Sequence, residues 1–208
     1  MTNTLSTAFL EAAKELEELA TNYVKPGDTQ GYEGVWLPPD GVVRMWSVPR
    51  STADFLKTFV EEHTPLTTLE LGTSSGYSTL FMAAGARSYG GKVFSIEMAQ
   101  PKIDIAQSYI NRVGFTDDIT IIKGEIAQVL ASWDQKIDLV FLDADKLNYL
   151  QYIQMLEPHL NAGAIIIADN AVDFAYLMPD YIAYMKESGK YQTQLLAMDN
   201  GLLISTKI

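Results

Sequence analysis

The chain has 208 residues, 48% of them hydrophobic and 20% charged, and contains no cysteine. That balance fits one folded domain with a sizeable core, and the cysteine count excludes a disulfide framework, a thiolate metal site and a cysteine nucleophile. Fifteen basic against 26 acidic residues leave a net charge of −11, which disfavours a nucleic-acid partner and favours small-molecule work.

The first residues lack the basic start and apolar run of a secretion signal. No apolar stretch reaches the roughly 20 residues that cross a bilayer. The expectation is therefore a soluble, cytoplasmic protein without a membrane partner. Residues 5–23 carry Leu5, Phe9, Ala12, Ala13, Leu16, Leu19, Ala20 and Tyr23 at a helical period. Prolines and glycines then interrupt residues 25–50, which read as a long, lid-like surface loop bearing Tyr32, Trp36, Met45 and Trp46. Those four side chains read equally as a cover for an aromatic ligand and as core or dimer contacts. A second helix is predicted over 51–63.

Beyond it, apolar runs at 66–71, 92–96, 119–122, 137–142, 163–168 and 202–206 predict strands, with a weaker one at 191–197. Helices are predicted at 76–87, 101–113, 125–132, 147–160 and 173–188. This alternation predicts an α/β, doubly wound, mostly parallel sheet covered on both faces. Asp199-Asn200-Gly201 between the last two runs predicts a closing antiparallel hairpin. In such a sheet ligands bind beyond the carboxyl ends of the strands, where the strand order reverses.

Three sets of strand-end residues are suited to chemistry. The first is Glu70-Leu71-Gly72-Thr73-Ser74-Ser75-Gly76-Tyr77-Ser78, a glycine loop opening a helix. Its Gly-x-x-x-Gly spacing is not the Gly-x-Gly-x-x-Gly of dinucleotide domains, which disfavours a nicotinamide-dependent dehydrogenase. The helix N-terminus suits a carboxylate, such as the methionyl end of S-adenosylmethionine; alone, the loop also reads as a ligand-free turn. The second is Glu97, placed to accept hydrogen bonds from ribose hydroxyls or simply to face solvent. The third combines Asp143-Ala144-Asp145-Lys146 with Asp169-Asn170, at the ends of two strands expected to be neighbours. Asp143, Asp169 and Asn170 offer oxygen ligands to a hard cation, Mg²⁺ first, then Ca²⁺ or Mn²⁺. Either motif alone reads as turn and capping residues. His63 and His159 each lie near a helix C-terminus and read as structural.

The segments LELGTSSGYS, FSIE, FLDADKLNY and IIIADN together resemble the metal-dependent O-methyltransferases that include the catechol and caffeoyl-coenzyme A enzymes. The resemblance extends over about residues 40–208, and the Asp-Ala-Asp-Lys-x-Asn-Tyr run is its most specific element. It implies a seven-stranded Rossmann-like methyltransferase fold over 1–208 as one domain, with 1–50 as an N-terminal extension. It implies S-adenosylmethionine held by Glu70, Gly72, Ser74, Gly76, Ser78, Glu97, Ile126 and Asp143. It implies a divalent cation on Asp143, Asp169 and Asn170, with Lys146 as general base. The implied reaction methylates one hydroxyl of a small aromatic vicinal diol, and a homodimer is the expected assembly. A phenol of pKa ~10 is a poor nucleophile at neutral pH, so a cation and a base both have work to do there. Alternatives are a methyltransferase for a hydroxylated tRNA base and a non-catalytic S-adenosylmethionine-binding protein. The chain departs from the family pattern at 46–55, which lacks Asp-Glu-Gly-Gln, and at 171–176, which lacks Trp and Gly. Both departures concern the acceptor side.

Overall fold

The computed structural model describes residues 5–20, 23–24, 30–31 and 43–208. Helix α1 (Thr7–Ala20) is followed by a short antiparallel pair, β1 (Tyr23–Val24) with β2 (Val43–Arg44), and by α2 (Arg50–His63). The alternating part then runs β3 (Thr67–Leu71), α3 (Tyr77–Ala86), β4 (Lys92–Glu97), α4 (Gln100–Val113), β5 (Ile119–Lys123), α5 (Ile126–Ala131) and β6 (Ile137–Leu142). It closes with α6 (Tyr149–Leu156), β7 (Leu160–Ala168), α7 (Pro179–Glu187), β8 (Tyr191–Leu196) and β9 (Leu202–Lys207).

Strands β3–β9 form one seven-stranded sheet in the order β5-β4-β3-β6-β7-β9-β8. All neighbours pair in parallel except β9, which is antiparallel to both β7 and β8. The expected sheet and its closing hairpin are therefore present. The order reverses at β3, which has β4 on one side and β6 on the other, and this opens a crevice at their carboxyl ends.

Burial on both faces follows from the strand pleat. Leu139 and Phe141 of β6 join α1–α4 in one apolar cluster, whereas Val140 and Leu142 join α5–α7 in the other. Helix α3 is buried along its whole length, beneath α1 and α2. Phe9 of α1 meets Phe81 of α3 edge-on at 5.1 Å, so the N-terminal helix belongs to the core.

Three elements differ from expectation. The helix predicted at 173–188 is a one-turn 3-10 segment (Ala175–Leu177) followed by α7. Pro179 lacks the N–H that a helix interior needs, so it sits in the first turn instead. The predicted helix 147–160 starts as a 3-10 turn (Lys146–Asn148) and its α part ends at Leu156, because β7 begins earlier than expected, at Leu160. That early start includes a register shift against β6 near Gly163, whose φ is 75°. Finally, Val43–Arg44, inside the predicted loop 25–50, forms β2 and pairs with Tyr23–Val24, where the helical pattern of 5–23 extends to Tyr23; Tyr32 and Trp36 lie outside the described residues.

Candidate active site

Gly72 ends β3 with φ 102°, and a Cβ there would meet the carbonyl oxygen of Asp143 at 2.4 Å. Only glycine lets the ends of β3 and β6 come this close. The N–H groups of Gly72 and Thr73 both donate to the Ile96 carbonyl, at 3.1 and 3.2 Å, which ties the loop to the end of β4. Gly76 then caps α3 in the left-handed region. Ser74 also has positive φ (47°), and its Oγ is buried with no hydrogen-bond partner among the described residues.

Glu97 lies beside this loop. Its carboxylate accepts from the N–H groups of Ser74 (2.9 Å), Met98 (2.9 Å) and Ala99 (3.0 Å). Its backbone carbonyl accepts from Gly124 N–H at 3.0 Å, bringing the end of β5 and half-buried Ile126 alongside.

Glu70 and Ser78 take places that the sequence pattern does not reveal. Glu70 is completely buried and accepts hydroxyl donors from Ser78, Thr79 and Ser95. Ser95 is joined in turn to the Thr73 hydroxyl at 2.5 Å. Burial pushes the Glu70 carboxyl up to about 7; the three hydroxyls restrain the shift and the Asp143 charge adds to it. The carboxylate is thus spent inside the protein, fastening the underside of the glycine loop.

The ends of β6 and β7 form the other half of the site. Lys146 Nζ donates to Asp143 Oδ1 at 2.8 Å and stands 5.3 Å from the centre of the Tyr149 ring. Burial disfavours this ammonium, but the Asp143 carboxylate outweighs it and raises the lysine above its ordinary value. Buried Tyr149 pins the loop from below: its hydroxyl donates to Leu142 O at 2.9 Å and accepts from Ala144 N–H at 3.2 Å. Asp145 caps the 3-10 turn by accepting from Leu147 N–H at 3.2 Å.

Asp169 N–H donates to Leu142 O at 3.0 Å, which sets Asp169 next to Asp143. Its carboxyl is pushed up to about 7, first by burial and then by the Asp143 charge. Its Oδ1 is buried and unpartnered among the described residues. Asn170 follows with φ 63° and is largely buried. A buried carboxylate oxygen without a donor, beside a second carboxylate and an amide, is a donor set suited to a hard divalent cation. Among the described residues no three His, Cys, Asp or Glu side chains are grouped to hold a metal, and this set reaches three donors only through its asparagine.

The histidines stand apart. His63 stacks on Phe59 at 3.9 Å and closes α2 just before β3, while His159 precedes β7. Both therefore lie at the amino ends of strands, away from the crevice. Met45 is buried and Trp46 is 56% exposed, so only Trp46 of this pair is available at the surface.

Residues 40–203 match the family model of the O-methyltransferases. The chain belongs to the O-methyltransferase family. Catechol O-methyltransferase from Niastella koreensis is 32% identical over 130 residues, covering 61% of this chain and 58% of the relative. That from Mycobacterium tuberculosis is 34% identical over 105 residues, covering 50% and 47%. The chain thus spans about half the length of these two curated relatives. The Sus scrofa catechol O-methyltransferase is 29% identical over 156 residues, covering 72% of this chain and 82% of the relative. The fold is shared with an O-methyltransferase from Bacillus cereus solved in complex with SAH, at TM-score 0.75 and 20% identity, covering 95% and 91% of the two chains. It is shared also with an O-methyltransferase from Streptomyces achromogenes involved in tomaymycin synthesis, in complex with SAM, at TM-score 0.75 and 16% identity, covering 98% and 91%.

Sequence reasoning missed the residues that build the site from behind. It gives Thr73, Thr79, Ser95 and Tyr149 no role, although Thr73, Ser95 and Tyr149 lie within the segments LELGTSSGYS, FSIE and FLDADKLNY. Asp199 was read as a turn residue; its carboxylate accepts from the Ser51 and Thr52 hydroxyls of α2, each at 2.6 Å. The one available signal was its place at the carboxyl end of a strand, the criterion that found Asp143 and Asp169.

Proposed function

We propose that the chain is an S-adenosylmethionine-dependent, divalent-metal-dependent O-methyltransferase that methylates one hydroxyl of a catechol-like vicinal diol. One observation carries the reading: the Asp143–Lys146 pair, the unpartnered Oδ1 of Asp169 and Asn170 lie at strand ends against the glycine loop. A cofactor site alone does not need that set. The names of the catechol O-methyltransferase relatives support the acceptor class.

Residue by residue, Glu97 has lone pairs left to accept ribose hydroxyls after taking three backbone N–H groups. Gly72 and Gly76 leave room for a ligand against the backbone, and the N-terminus of α3 with the free Ser74 Oγ suits its carboxylate end. Ser78 and Glu70 hold that loop in shape rather than meeting the cofactor. Asp143, Asp169 and Asn170 would hold the cation, which when bound supplies positive charge that favours the ionised phenol. Lys146 Nζ takes the phenolic proton. It must be neutral to do so, and its ion pair with Asp143 keeps it charged in the unliganded protein. Asp143, in holding a cation, would share its charge between that ion and the lysine, and would so favour the neutral form of Lys146. The same reading takes residues 1–208 as one domain, supported by the packing of α1 on α3 and α4.

The test is methyl transfer to catechol with S-adenosylmethionine and Mg²⁺. Turnover is expected with the intact protein, to be abolished by EDTA, and to fall at least 100-fold in Lys146→Ala and Asp169→Ala. S-adenosylhomocysteine should still raise the melting temperature in EDTA. Full turnover in metal-stripped buffer would overturn the metal-dependent part of the reading.

A further inference from the structure

Soluble proteins seldom leave several large apolar side chains exposed together unless the patch binds something. Among the described residues, nine large hydrophobic side chains are exposed, and five of them stand on the loops around the crevice: Trp46, Leu147, Val172, Phe174 and Tyr176. Leu147 directly follows the lysine that pairs with Asp143. Phe174 N–H donates to the carbonyl of Asn170 at 3.0 Å, so its loop is continuous with the candidate metal site. Phe174 and Tyr176 form a tilted ring pair with centroids 6.3 Å apart. Trp46 adjoins Ser47, whose hydroxyl lies 3.3 Å from that of Ser75 in the glycine loop.

The loop that bears Phe174 and Tyr176 is tied to the β8–β9 hairpin. The N–H groups of Val172 and Asp173 donate to the Asn200 carbonyl at 2.9 and 3.3 Å, and Ala171 N–H donates to Gly201 O at 2.8 Å. A Cβ on Gly201 would meet the Val172 side chain at 2.4 Å, so the backbones fit closely only with glycine there. The rings are thus presented by a fixed turn. On the two strand-end loops, beyond the site itself, the formal charges are the exposed acids Asp145 and Asp173, which repel an anionic partner at the Phe174–Tyr176 side; at the Trp46 side the cation Arg44 lies over the ring, 5.8 Å from its centre.

We propose that this rim holds an apolar, aromatic body attached to the diol, so that the acceptor is an uncharged, aryl-extended ortho-diphenol rather than a bare catechol or an anionic conjugate. The proposal rests on the catechol-type reading given above and narrows it. The diol would enter the crevice while the second ring lies outside it on Phe174 and Tyr176. Burying that ring removes apolar surface from water on both partners, and offset or edge-on ring contacts add to it.

The test is calorimetric titration of the Mg²⁺-loaded protein, saturated with S-adenosylhomocysteine, with 4-phenylcatechol, catechol and 3,4-dihydroxybenzoate. The expected order of affinity is 4-phenylcatechol at least tenfold tighter than catechol, with the carboxylated diol weakest. The preference should shrink to under threefold in the Phe174→Ala/Tyr176→Ala double variant. It should persist in Leu66→Ala, which removes an exposed apolar side chain at the opposite end of the sheet. Retained stabilisation by S-adenosylhomocysteine checks that each variant folds. Equal affinity for 4-phenylcatechol and catechol, with catechol still methylated, overturns the proposal and leaves the catechol-type reading standing. A preference that survives the double variant, with a change in its oligomeric state, also overturns it and makes the rim a contact between copies. If no diphenol binds or is methylated, both readings fall.

Discussion

Glu70 shows how one side chain is committed by its surroundings. A carboxylate at the end of a central strand, next to a glycine loop, reads from sequence as a cofactor ligand. In the fold it is fully enclosed and takes hydrogen bonds from Ser78, Thr79 and Ser95. Its pKa is raised from the ordinary carboxylate value to about 7, so the native state binds the proton more tightly than the unfolded chain. Stability from this group is present below the unfolded value and declines as pH rises to about 7. Over that span it amounts to about 3 kcal/mol, at ~1.4 kcal/mol per pH unit. Glu70→Gln does not ionise. Its stability relative to the parent protein should therefore rise between pH 5 and pH 8 in urea melts; a constant difference would show that Glu70 does not titrate there. Tyr149 is a second such residue. Tyr149→Phe leaves Ala144 N–H without its partner and removes one of the two donors to Leu142 O, which keeps Asp169 N–H, and should cost about 1–3 kcal/mol. The same change should raise the Mg²⁺ concentration needed for half-maximal turnover, since the loop it pins carries Asp143 and Lys146.

At the scale of elements, α2 depends on a distant turn. Its N-cap position is Pro49, which provides no side-chain cap. Asp199, at the β8–β9 turn, supplies the missing acceptor to the backbone of Thr52 and is fixed there by the Ser51 and Thr52 hydroxyls, which donate to it. Asp199→Ala should destabilise the protein by about 1 kcal/mol, the usual cost of losing a helix cap, with Asp199→Asn recovering part of it; an unchanged denaturation midpoint in the alanine variant would count against this role. The same elements show what the sequence makes legible. The strand–helix alternation from β3 onward is written in apolar runs and breakers, and the Asn-Gly turn marks the final hairpin. Asp143, Lys146, Asp169 and Asn170 are legible because each follows a strand, and β6 and β7 are neighbours as expected. The supporting shell is less legible: Thr73 and Ser95 meet only across neighbouring strands, and Tyr149 folds back onto Leu142 and Ala144 of its own loop, which spacing alone does not reveal. The start of α7 was missed although Pro179 marked it. The early start of β7 had no local signal; it is set by pairing with β6 through a register shift.

For the whole molecule, topology explains why the chemistry gathers at one end. Strand order reverses at β3, and every residue proposed to act lies at the carboxyl end of β3, β4, β6 or β7, or, for Ile126, just beyond β5. The two apolar clusters fill both faces and leave the strand ends as the place where polar side chains stay unspent. Buried oxygens without partners on Ser74 and Asp169 lie there, one on each side of the Gly72–Asp143 contact. The net charge of −11 suits a small cation and an uncharged acceptor better than a phosphate-rich one. The claim that joins these scales is that the two halves of the crevice serve one reaction, cofactor on one side and cation with base on the other. The most direct measurement is methyl transfer from S-adenosylmethionine to catechol, with and without Mg²⁺, in the parent protein and in Asp169→Asn. The account predicts turnover that requires Mg²⁺ and is lost in the variant, while S-adenosylhomocysteine raises the melting temperature of both proteins equally. Turnover in EDTA, or a variant as active as its parent, would contradict it.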